Sequence, residues 1–364
     1  MKRPSILMLI TFLFGIFIVL ALHIAAPKKE NHKHAGFERL FAPEGVLQPL
    51  DTLDLGYSSY YIAGVDNGHL YLGNSQIPSL VVETKVDNLK DTIHHKISIK
   101  ESNLKYRSIQ VKVSAPYFYL VDGVIPFIYR GNISDWAATL YKNSPYFLDA
   151  IPTDNGALAL IGVNKEMEKV LYKVTEETPE PEIFPGLLKA QGDEAILSTS
   201  GQLHYDKNRQ ILTYVYLYRN QFFLMDTDFN MVHKGNTIDT ISQEKINVGE
   251  ISSENQWKIS PLSLKVNERS SVNENLLYIN SNILAGNEDI DVFDRTSVID
   301  VYQLDNGNYQ YSFYIPAFSS KKIREFVVVH HNLIVAKYKQ QIILYKLIHH
   351  EPSKNIVATI RGKD

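Results

Sequence analysis

Polar side chains stand just before an apolar stretch at five places along the chain. They are Asp66, Asn67, Asp154, Asn155, Asp206, Asn208, Asn275, His331 and Asn332. Carboxylate and amide oxygens are the ligands that hard divalent cations prefer, so these groups, brought together, would form a Ca2+ site able to support hydrolysis. The same residue types are favoured in tight turns, and a turn role is the competing interpretation.

A second set combines aromatic and cationic side chains in the stretches FIYRGN and YLYRNQ and in the residues near them. Its members are Tyr129, Arg130, Trp136, Tyr218 and Arg219. Aromatic residues and arginine dominate the energetics of protein interfaces, so the set is a candidate recognition surface. Packing at the ends of strands is the alternative.

Two further patterns suggest metal ligands only superficially. Adjacent histidines occur as His94 and His95, His330 and His331, and His349 and His350. Neighbouring side chains on a strand point to opposite faces, so surface or inter-strand hydrogen bonding is the favoured role. The stretch DTDFN, Asp226 to Asn230, imitates the start of a calcium loop, but Met231 and Thr237 replace its required Gly and Glu. It is therefore predicted to be a hairpin tip.

Several classes of function are disfavoured by what the chain lacks. No H-E-x-x-H motif, Gly-rich phosphate loop or G-x-S-x-G elbow is present, which weakens an enzymatic role. The absence of cysteine excludes disulfides, thiolate metal sites and cysteine nucleophiles. A net charge of -3 without a long basic stretch gives no reason to expect nucleic acid binding. We expect no cofactor, with Ca2+ near the polar turns as the alternative.

The N-terminal region forms a separate unit. Residues 6–26, ILMLITFLFGIFIVLALHIAA, are interrupted only by Thr11, Gly15 and His23. A helix of this length spans roughly 31 Å, close to the thickness of a bilayer core, and predicts an uncleaved transmembrane helix or signal anchor. A cleaved signal peptide is the alternative, because Val19 to Ala21 offers a small-residue cleavage site.

The orientation of this segment is not set by charge alone. Basic residues flank both ends, as Lys2, Arg3, Lys28, Lys29, Lys33 and Arg39, so the positive-inside rule gives no clear answer. A short tail before a large domain favours export. We expect residues 1–5 to be a cytoplasmic tail, residues 27–44 a polar tether, and the remaining chain a domain on the periplasmic or extracellular side of a single-pass membrane protein.

From Gly45 onward the pattern is that of an all-β protein. Apolar runs of strand length alternate with Asp, Asn, Gly and Pro clusters every 8 to 12 residues. One phrase recurs, in Tyr61 to Asn74 and in Leu148 to Asn164: a strand, an Asp-Asn-Gly turn, a second strand and a final Asn. Six strands with related endings close at 74, 132, 164, 220, 287 and 340, about 53 residues apart on average, near the repeat length of a four-stranded β-propeller blade.

The two ends of the domain predict how the ring closes. Only Gln341 to Leu347 remains as a strand after the last repeat, and Val46 to Val65 could supply the missing pair, so that no sheet edge stays free. The propeller is expected at residues 45–350, followed by a tail at 351–364. Seven blades or two β domains also fit, because Glu176 to Gly186 is broken by prolines and Lys265 to Asn275 resembles an inserted loop.

The repeated units and the hairpin SVIDVYQLDNGNYQYSFYIP, Ser297 to Pro316, resemble the six-bladed β-propeller superfamily. The similarity extends over residues 45–348 and is closest to TolB-like and NHL-like proteins, especially uncharacterised membrane-anchored propellers of Bacteroidota. The resemblance implies that the polar turns gather around one mouth of a central channel. Lactonase-like and phosphotriesterase-like propellers hold a divalent ion with Glu, Asp and Asn oxygens at such a place.

These observations favour a binding protein over an enzyme. We expect a membrane-tethered, envelope-facing propeller that acts as a non-catalytic binding or scaffolding module for a protein, peptide or glycan. The alternative is a metal-dependent lactonase or esterase with its site in the central channel. A quinone-cofactor dehydrogenase has little support, because its tryptophan-rich blade motif is absent from a chain with two Trp.

Overall fold

The computed structural model describes residues 3–25, 36–99, 105–191, 195–243, 248–251, 256–259, 263–330 and 332–348. The first element is the helix α1 (Arg3–Ala25). Within it, side chains are described for Met8 and for residues 11–21. Over the described part of the chain, no helix is both long enough and apolar enough to cross a membrane.

Antiparallel strands follow in six blades, and the first strand, β1 (Leu47–Asp54), belongs to the last of them. Blade 1 contains β2 (Tyr60–Asp66), β3 (His69–Asn74), β4 (Leu80–Lys85) and β5 (Asn88–Lys96). The short β6 (Ser98–Ile99) then pairs with the outer strand of blade 2, which contains β7 (Gln110–Ser114), β8 (Tyr117–Asp122), β9 (Phe127–Asn132) and β10 (Ala137–Asn143). Blade 3 contains β11 (Phe147–Pro152), a 3-10 turn (Asp154–Gly156), β12 (Leu158–Val163), β13 (Lys169–Val174) and β14 (Glu182–Phe184).

The second half of the ring carries longer connections. Blade 4 follows the short helix α2 (Ala195–Ser198) and contains β15 (Gly201–Asp206), β16 (Ile211–Tyr216), β17 (Gln221–Met225) and β18 (Met231–Asn236). A separate hairpin, β19 (Val248–Ile251) and β20 (Gln256–Ile259), precedes blade 5, which contains β21 (Asn267–Asn273), β22 (Leu276–Ser281), the helix α3 (Ile290–Arg295), β23 (Thr296–Gln303) and β24 (Tyr309–Pro316). Blade 6 combines β25 (Glu325–Val329), β26 (Leu333–Lys337) and β27 (Gln341–Leu347) with β1.

The innermost strand of each blade touches the innermost strand of the next. The order of contact is β2, β7, β11, β15, β21, β25 and β2 again, so the ring is closed. Apolar side chains fill the space between neighbouring blades: Tyr71 and Val81 of blade 1, for example, share a cluster with Phe118 and Leu120 of blade 2. Each sheet thus buries both faces, which explains why its middle strands are apolar almost throughout.

Pairing of the two ends of the domain confirms the predicted closure and corrects its detail. β1 runs antiparallel to β27, from Leu47 opposite Leu347 to Asp54 opposite Gln341. Only one N-terminal strand completes blade 6, however, because β2 is already the innermost strand of blade 1. Leu55 donates a backbone hydrogen bond to Gln340 at 2.8 Å, and the chain then crosses to the centre of the ring. Strand length can be predicted from the pattern, but the partner of each strand depends on distant residues.

Two other sequence-based assignments need correction. The polar turns follow the innermost strands instead of preceding them, so that the second half of the recurring phrase forms the second strand of its blade in β3 and β12. The supposed inserted loop, Lys265 to Asn275, contains β21, the innermost strand of blade 5. Its polar composition concealed a strand, because Ser270 and Ser271 hydrogen-bond to the adjacent blades.

The last part of the predicted tether is packed against blade 5. Arg39 is almost fully buried, donates to Asp300 from Nε at 2.7 Å and from Nη2 at 3.0 Å, and also pairs with Glu288. Burial opposes its charge, but attraction to these carboxylates prevails and raises the pKa of Arg39. Ala42 then donates to the Ser312 carbonyl at 2.8 Å. The tether prediction is therefore wrong for the residues around Arg39, whose buried charge needs the carboxylates of blade 5.

Replacement of Arg39 by Met tests the importance of this packing. We expect Arg39→Met to lower the free energy of unfolding by about 3–5 kcal/mol, because Asp300 and Glu288 would remain buried without their cation. The control Arg209→Met removes a partly exposed ion pair with Asp305 and should cost about 0–1 kcal/mol. Urea unfolding followed by circular dichroism measures both, and equal losses would contradict the structural role of Arg39.

Candidate functional site

The blade connections define two faces of the ring. The mouth face carries the turns between the first and second strands of the blades: 67–68, 115–116, 153–157, 207–210, 274–275 and 330–332. The loop face carries the connections from the second to the third strand and from one blade to the next. Because the innermost strands all run in the same direction through the ring, the polar turns of the sequence come together on the mouth face.

The structure places most of the turn candidates on the mouth face. Asp66, Asp154, Asp206, Asn275 and Asn332 lie in or beside equivalent turns of blades 1, 3, 4, 5 and 6, with Asn67 and Asn208 next to them. Asn67 and Asn332 have positive φ angles of 50° and 88°, a conformation that asparagine tolerates in turns. Asn155 is in the 3-10 turn of blade 3, where its side chain is not described, and His331 lies outside the described residues.

A lysine crosses the mouth of the channel. Lys207 belongs to blade 4, and its Nζ lies 3.4 Å from Asp66 Oδ2 of blade 1 and 3.4 Å from the Ala115 carbonyl of blade 2. Blade 4 stands opposite blade 1 in a ring of six, so the side chain must reach over the channel. Asp154, in turn, accepts hydrogen bonds from Tyr205 and from Gln210 Nε2 at 3.0 Å. The mouth carboxylates are thus engaged by protein donors, and a cation of the chain itself lies beside one of them.

Asp206 is the most deeply buried acidic group of the mouth. Its Oδ1 accepts the backbone N–H groups of Asn208 at 3.0 Å and Arg209 at 3.2 Å, while its Oδ2 is buried without a hydrogen-bond partner among the described residues. Burial raises the pKa of Asp206 although these N–H groups favour the charged form. In the described part of the chain, no group of three or more His, Asp or Glu side chains is arranged to hold a metal ion.

Polar contacts join each innermost strand to the next around the whole channel. The six links are Tyr61 to Val111, Lys112 to Asp149, Asp154 to Tyr205, His204 to Ser270, Ser271 to Val328 and Glu325 to Ile62. We call this ring of contacts the channel belt. Sequence reasoning missed most of it, and the available signal was a polar residue inside each short strand that precedes a polar turn.

His204 and Ser270 form the most chemically suggestive contact of the channel belt. His204 Nε2 and Ser270 Oγ are 2.7 Å apart, the separation of a nucleophile and its base. Burial lowers the pKa of His204 to about 4, nearby Lys112 adds to the effect and Asp149 opposes it, so the ring is neutral at pH 7. Ser270 is buried, and its hydroxyl and amide also contact Gln202 Oε1 at 3.3 and 3.0 Å. The pair is thus built as a bridge between blades 4 and 5.

Four of the five residues of the predicted recognition surface are buried. Tyr129, Trp136, Tyr218 and Arg219 are 3%, 5%, 4% and 1% exposed. Trp136 stacks on His95 and Phe118, and Arg219 lies 3.6 Å over the ring of Tyr216. The interface hypothesis is wrong for these four side chains, which pack within and between blades, since large aromatic rings fill the gaps that the twisted sheets leave.

The fifth member of that set is partly exposed and already engaged. Arg130 lies over the rings of Tyr117 and Tyr141, at 5.0 and 4.2 Å, and pairs with Glu176 at 3.0 Å. It clamps blade 2 to the loop that follows β13 of blade 3. Arg130 therefore serves as a contact between blades, and its guanidinium is already engaged.

The other metal-like patterns have structural roles where they are described. His95 contacts Glu83 at 2.6 Å and stacks on Trp136, while His94 is exposed on the opposite side of β5. Asp226 accepts the backbone N–H groups of Asp228 and Asn230 at the tip of the hairpin formed by β17 and β18, as predicted. Of the other histidine pairs, His331, His349 and His350 lie outside the described residues.

A cavity of about 260 Å3 lies on the outer half of blade 4. Lys189, Arg219 and Lys234 line it together with Tyr216 and Phe222. Its volume is below the usual range for ligand pockets, roughly 300–1,000 Å3. Arg219, the most buried of its cations, already donates to the Lys189 carbonyl at 2.8 Å.

The loop face of blades 1 to 3 exposes an unusual number of large apolar side chains. They are Tyr57, Ile77, Tyr106, Val124, Ile125, Tyr146, Leu148 and Met167, which are between 38% and 68% exposed, and we call them the apolar half-face. The described loops of blades 4 to 6 on the same face expose no large hydrophobic side chain. Among the side chains that the structure describes, the exposed apolar ones of this face are therefore concentrated on blades 1 to 3.

Side-chain oxygens at the ends of the second strands accept hydrogen bonds from the turns that carry members of the apolar half-face, and so hold these turns in place. Buried Asp122 accepts four backbone N–H groups, from Arg107, Ser108, Val124 and Ile125, at 2.6 to 3.0 Å. Burial disfavours its charge, but these four donors prevail and lower the pKa of Asp122.

Asparagines do the same in the neighbouring blades. Asn74 Oδ1 accepts from the N–H groups of Gln76 and Ile77, and Asn164 Oδ1 accepts from Glu168. The final Asn of the recurring sequence phrase is thus the residue that fixes the following turn on the loop face.

Solved structures share this fold. A member of the DUF4221 family from Bacteroides vulgatus superposes with a TM-score of 0.51 at 12% identity, over 82% of this chain and 97% of that one. A structural genomics protein of unknown function from Bacteroides thetaiotaomicron gives a TM-score of 0.48 at 13% identity, over 82% of this chain and 73% of that one. No protein-family model and no curated protein matches the chain. The predicted resemblance to the six-bladed β-propeller superfamily is confirmed at the level of the fold.

The pH dependence of stability tests the environment of His204. Its pKa of about 4 in the folded chain lies below the ordinary value of about 6.5, so the unfolded chain binds more protons between these values. The free energy of unfolding should therefore fall by about 3 kcal/mol as the pH drops from 6.5 to 4. In His204→Gln this contribution should vanish. Urea titrations across that range measure it, and an unchanged pH dependence in the variant would show that the imidazole is not buried.

Proposed function

We propose that the protein is a membrane-tethered, envelope-facing propeller that binds a protein, peptide or glycan on its mouth face and catalyses no reaction. The contact of Lys207 with Asp66 across the channel carries this proposal. A hydrolytic metal site needs several carboxylates free to converge on one ion. Here the chain supplies its own cation and its own donors to the mouth carboxylates.

The rigidity of the ring supports a binding role. The channel belt and the buried apolar layers fix the mouth turns relative to one another, so little conformational entropy is lost when a partner binds to them. Lys207 keeps about half of its side-chain surface exposed, as does Asp305, which accepts from Asn275 Nδ2 at 2.6 Å. Such groups offer a partner charged and hydrogen-bonding contacts around the channel.

The tether is proposed from the sequence. Residues 6–26 are apolar over a length that matches a bilayer core, and the helix α1 covers Arg3–Ala25. A short N-terminal tail before a large folded domain fits a single-pass anchor with the propeller on the periplasmic or extracellular side.

Photo-crosslinking tests partner binding at the mouth. A photoreactive residue replaces Asn208 on the mouth face or, as a control, Met231 on an outer strand, in the full chain within its native membranes. We expect a discrete adduct from position 208 that disappears when Lys207→Glu is added, because the new charge would repel Asp66 and rearrange the mouth. The proposal would be contradicted if both positions gave adducts of the same mass and if Lys207→Glu left these adducts unchanged.

A metal-dependent lactonase or esterase in the channel is the second candidate. The buried Asp206 Oδ2 without a hydrogen-bond partner favours it, because a cation could satisfy that atom. The two candidates differ in what calcium does to the purified chain.

The binding proposal predicts that EDTA leaves the midpoint of thermal unfolding unchanged and that elemental analysis finds no stoichiometric calcium. The hydrolase predicts one calcium per chain and its loss in Asp154→Asn. Asp226→Asn, at a hairpin tip away from the channel, is the matched control. Calcium that is lost in Asp154→Asn but kept in Asp226→Asn would replace the binding proposal by the enzymatic one.

A further inference from the structure

We propose that the apolar half-face docks on the surface of the lipid bilayer, so that the propeller lies with its loop face against the membrane and its mouth face away from it. The inference rests on the membrane tether of the proposed function. It adds a second, non-covalent contact with lipid and an orientation for the ring.

The composition of the apolar half-face suits a membrane interface. Three of its eight members, Tyr57, Tyr106 and Tyr146, are tyrosines, whose apolar ring and polar hydroxyl favour the headgroup level. The others are Ile, Leu, Val and Met side chains, which gain free energy when they leave water. Exposed apolar side chains that share one face of a folded domain are a feature of interaction sites.

The path of the chain places the tether on the same face. Gly36 packs against Thr240, and the Phe37 carbonyl accepts from Gly286 N at 3.0 Å; both partners belong to loop-face connections. From there the chain passes Arg39 and reaches the mouth face at Val46, which accepts from Ile348 N at 2.7 Å. The N-terminal segment therefore joins the propeller at the loop face.

The length of the intervening chain limits the separation of the two parts. Ten residues, 26–35, stand between the end of α1 and Gly36. Even fully extended they span at most about 40 Å. With the anchor in the bilayer, the face on which the chain enters the propeller is the one held nearest to the lipid.

The docking tips are also held before any lipid is bound. The bonds to Asp122, Asn74 and Asn164 fix the turns that carry Val124, Ile125, Ile77 and Met167, so docking orders little additional chain. Charged side chains near these turns contribute less to docking than the apolar side chains do.

Exposed Lys105 and Arg107 flank Tyr106, which suits anionic headgroups, but Glu166 and Glu168 flank Met167 and oppose them. We therefore expect the apolar side chains to provide most of the contact, and docking to occur on vesicles with a modest anionic content.

Single-cysteine labelling tests the proposal, because the natural chain has no cysteine. The probe is the environment-sensitive dye NBD, attached to Ile77→Cys or Tyr146→Cys in the full chain. The labelled protein is reconstituted into vesicles of phosphatidylcholine with roughly one quarter phosphatidylglycerol, which supplies anionic headgroups. Ile93→Cys is the matched control, since Ile77 and Ile93 are each 53% exposed but Ile93 lies on the outer strand β5. We expect a blue-shifted emission, quenched by doxyl-labelled lipid, at 77 and 146 and neither effect at 93.

A second variant checks that the effect depends on the apolar surface. Ile77→Asp should weaken the lipid quenching of a probe at 146, whereas Ile93→Asp should leave it unchanged. Quenching at 146 that survives Ile77→Asp would overturn the docking role of this face.

Flotation of the vesicles separates the failure of docking from the failure of the tether. Protein that floats with the vesicles but shows no lipid quenching at 77 and 146 keeps the tether and overturns docking. Protein that does not float overturns both. A blue shift that grows with protein concentration and resists the lipid quencher would assign the face to a second copy of the chain and would also overturn lipid docking.

Discussion

The pairing of β1 with β27 is the constraint on which the molecule depends. Without the N-terminal strand, blade 6 would have three strands and would expose the edge of β27. Hydrogen bonds from Leu47 through Asp54 cover this edge and join residues almost 300 positions apart in sequence. The buried pair of Arg39 with Asp300 extends the same closure into blade 5. Because closure is a long-range event, every site that spans the channel exists only in the closed ring.

Polar contacts around the channel add to the apolar packing between the innermost strands. The innermost strands meet around the channel, and the channel belt joins them by hydrogen bonds such as that from Lys112 to Asp149. This arrangement engages several acidic and basic side chains of the channel in contacts between blades. Lys207 completes it at the mouth. These contacts hold neighbouring blades in register.

The two faces of the ring differ in character. The mouth face presents charged and amide groups on turns fixed by the channel belt, and the described part of the loop face presents its large apolar side chains on blades 1 to 3. Both faces use the same local device, an Asp or Asn oxygen that accepts the N–H groups of the next turn, as at Asp206 and Asp122. What differs is the side chain at the tip. A ring built from one repeated unit can therefore carry two unlike surfaces, and we propose that one faces a partner and the other faces lipid.

The sequence by itself determined the all-β class and the repeated blade, because alternating apolar runs and Asp-Asn-Gly turns are local properties of neighbouring residues. It also indicated closure by both chain ends, because the last repeat lacked strands, but it did not determine how many N-terminal strands take part. It also brought Asp66, Asp154 and Asp206 to one mouth, since equivalent turns of a repeat share a face. Only the tertiary structure decided which strand is innermost, that Trp136 and Arg219 are buried, and that Ser270 lies in a strand. It alone placed Lys207 over the channel and His204 beside Ser270. The physical reason is that these contacts join residues of different blades. The distance between two blades is fixed by closure of the ring, and no periodic pattern in the sequence reports it.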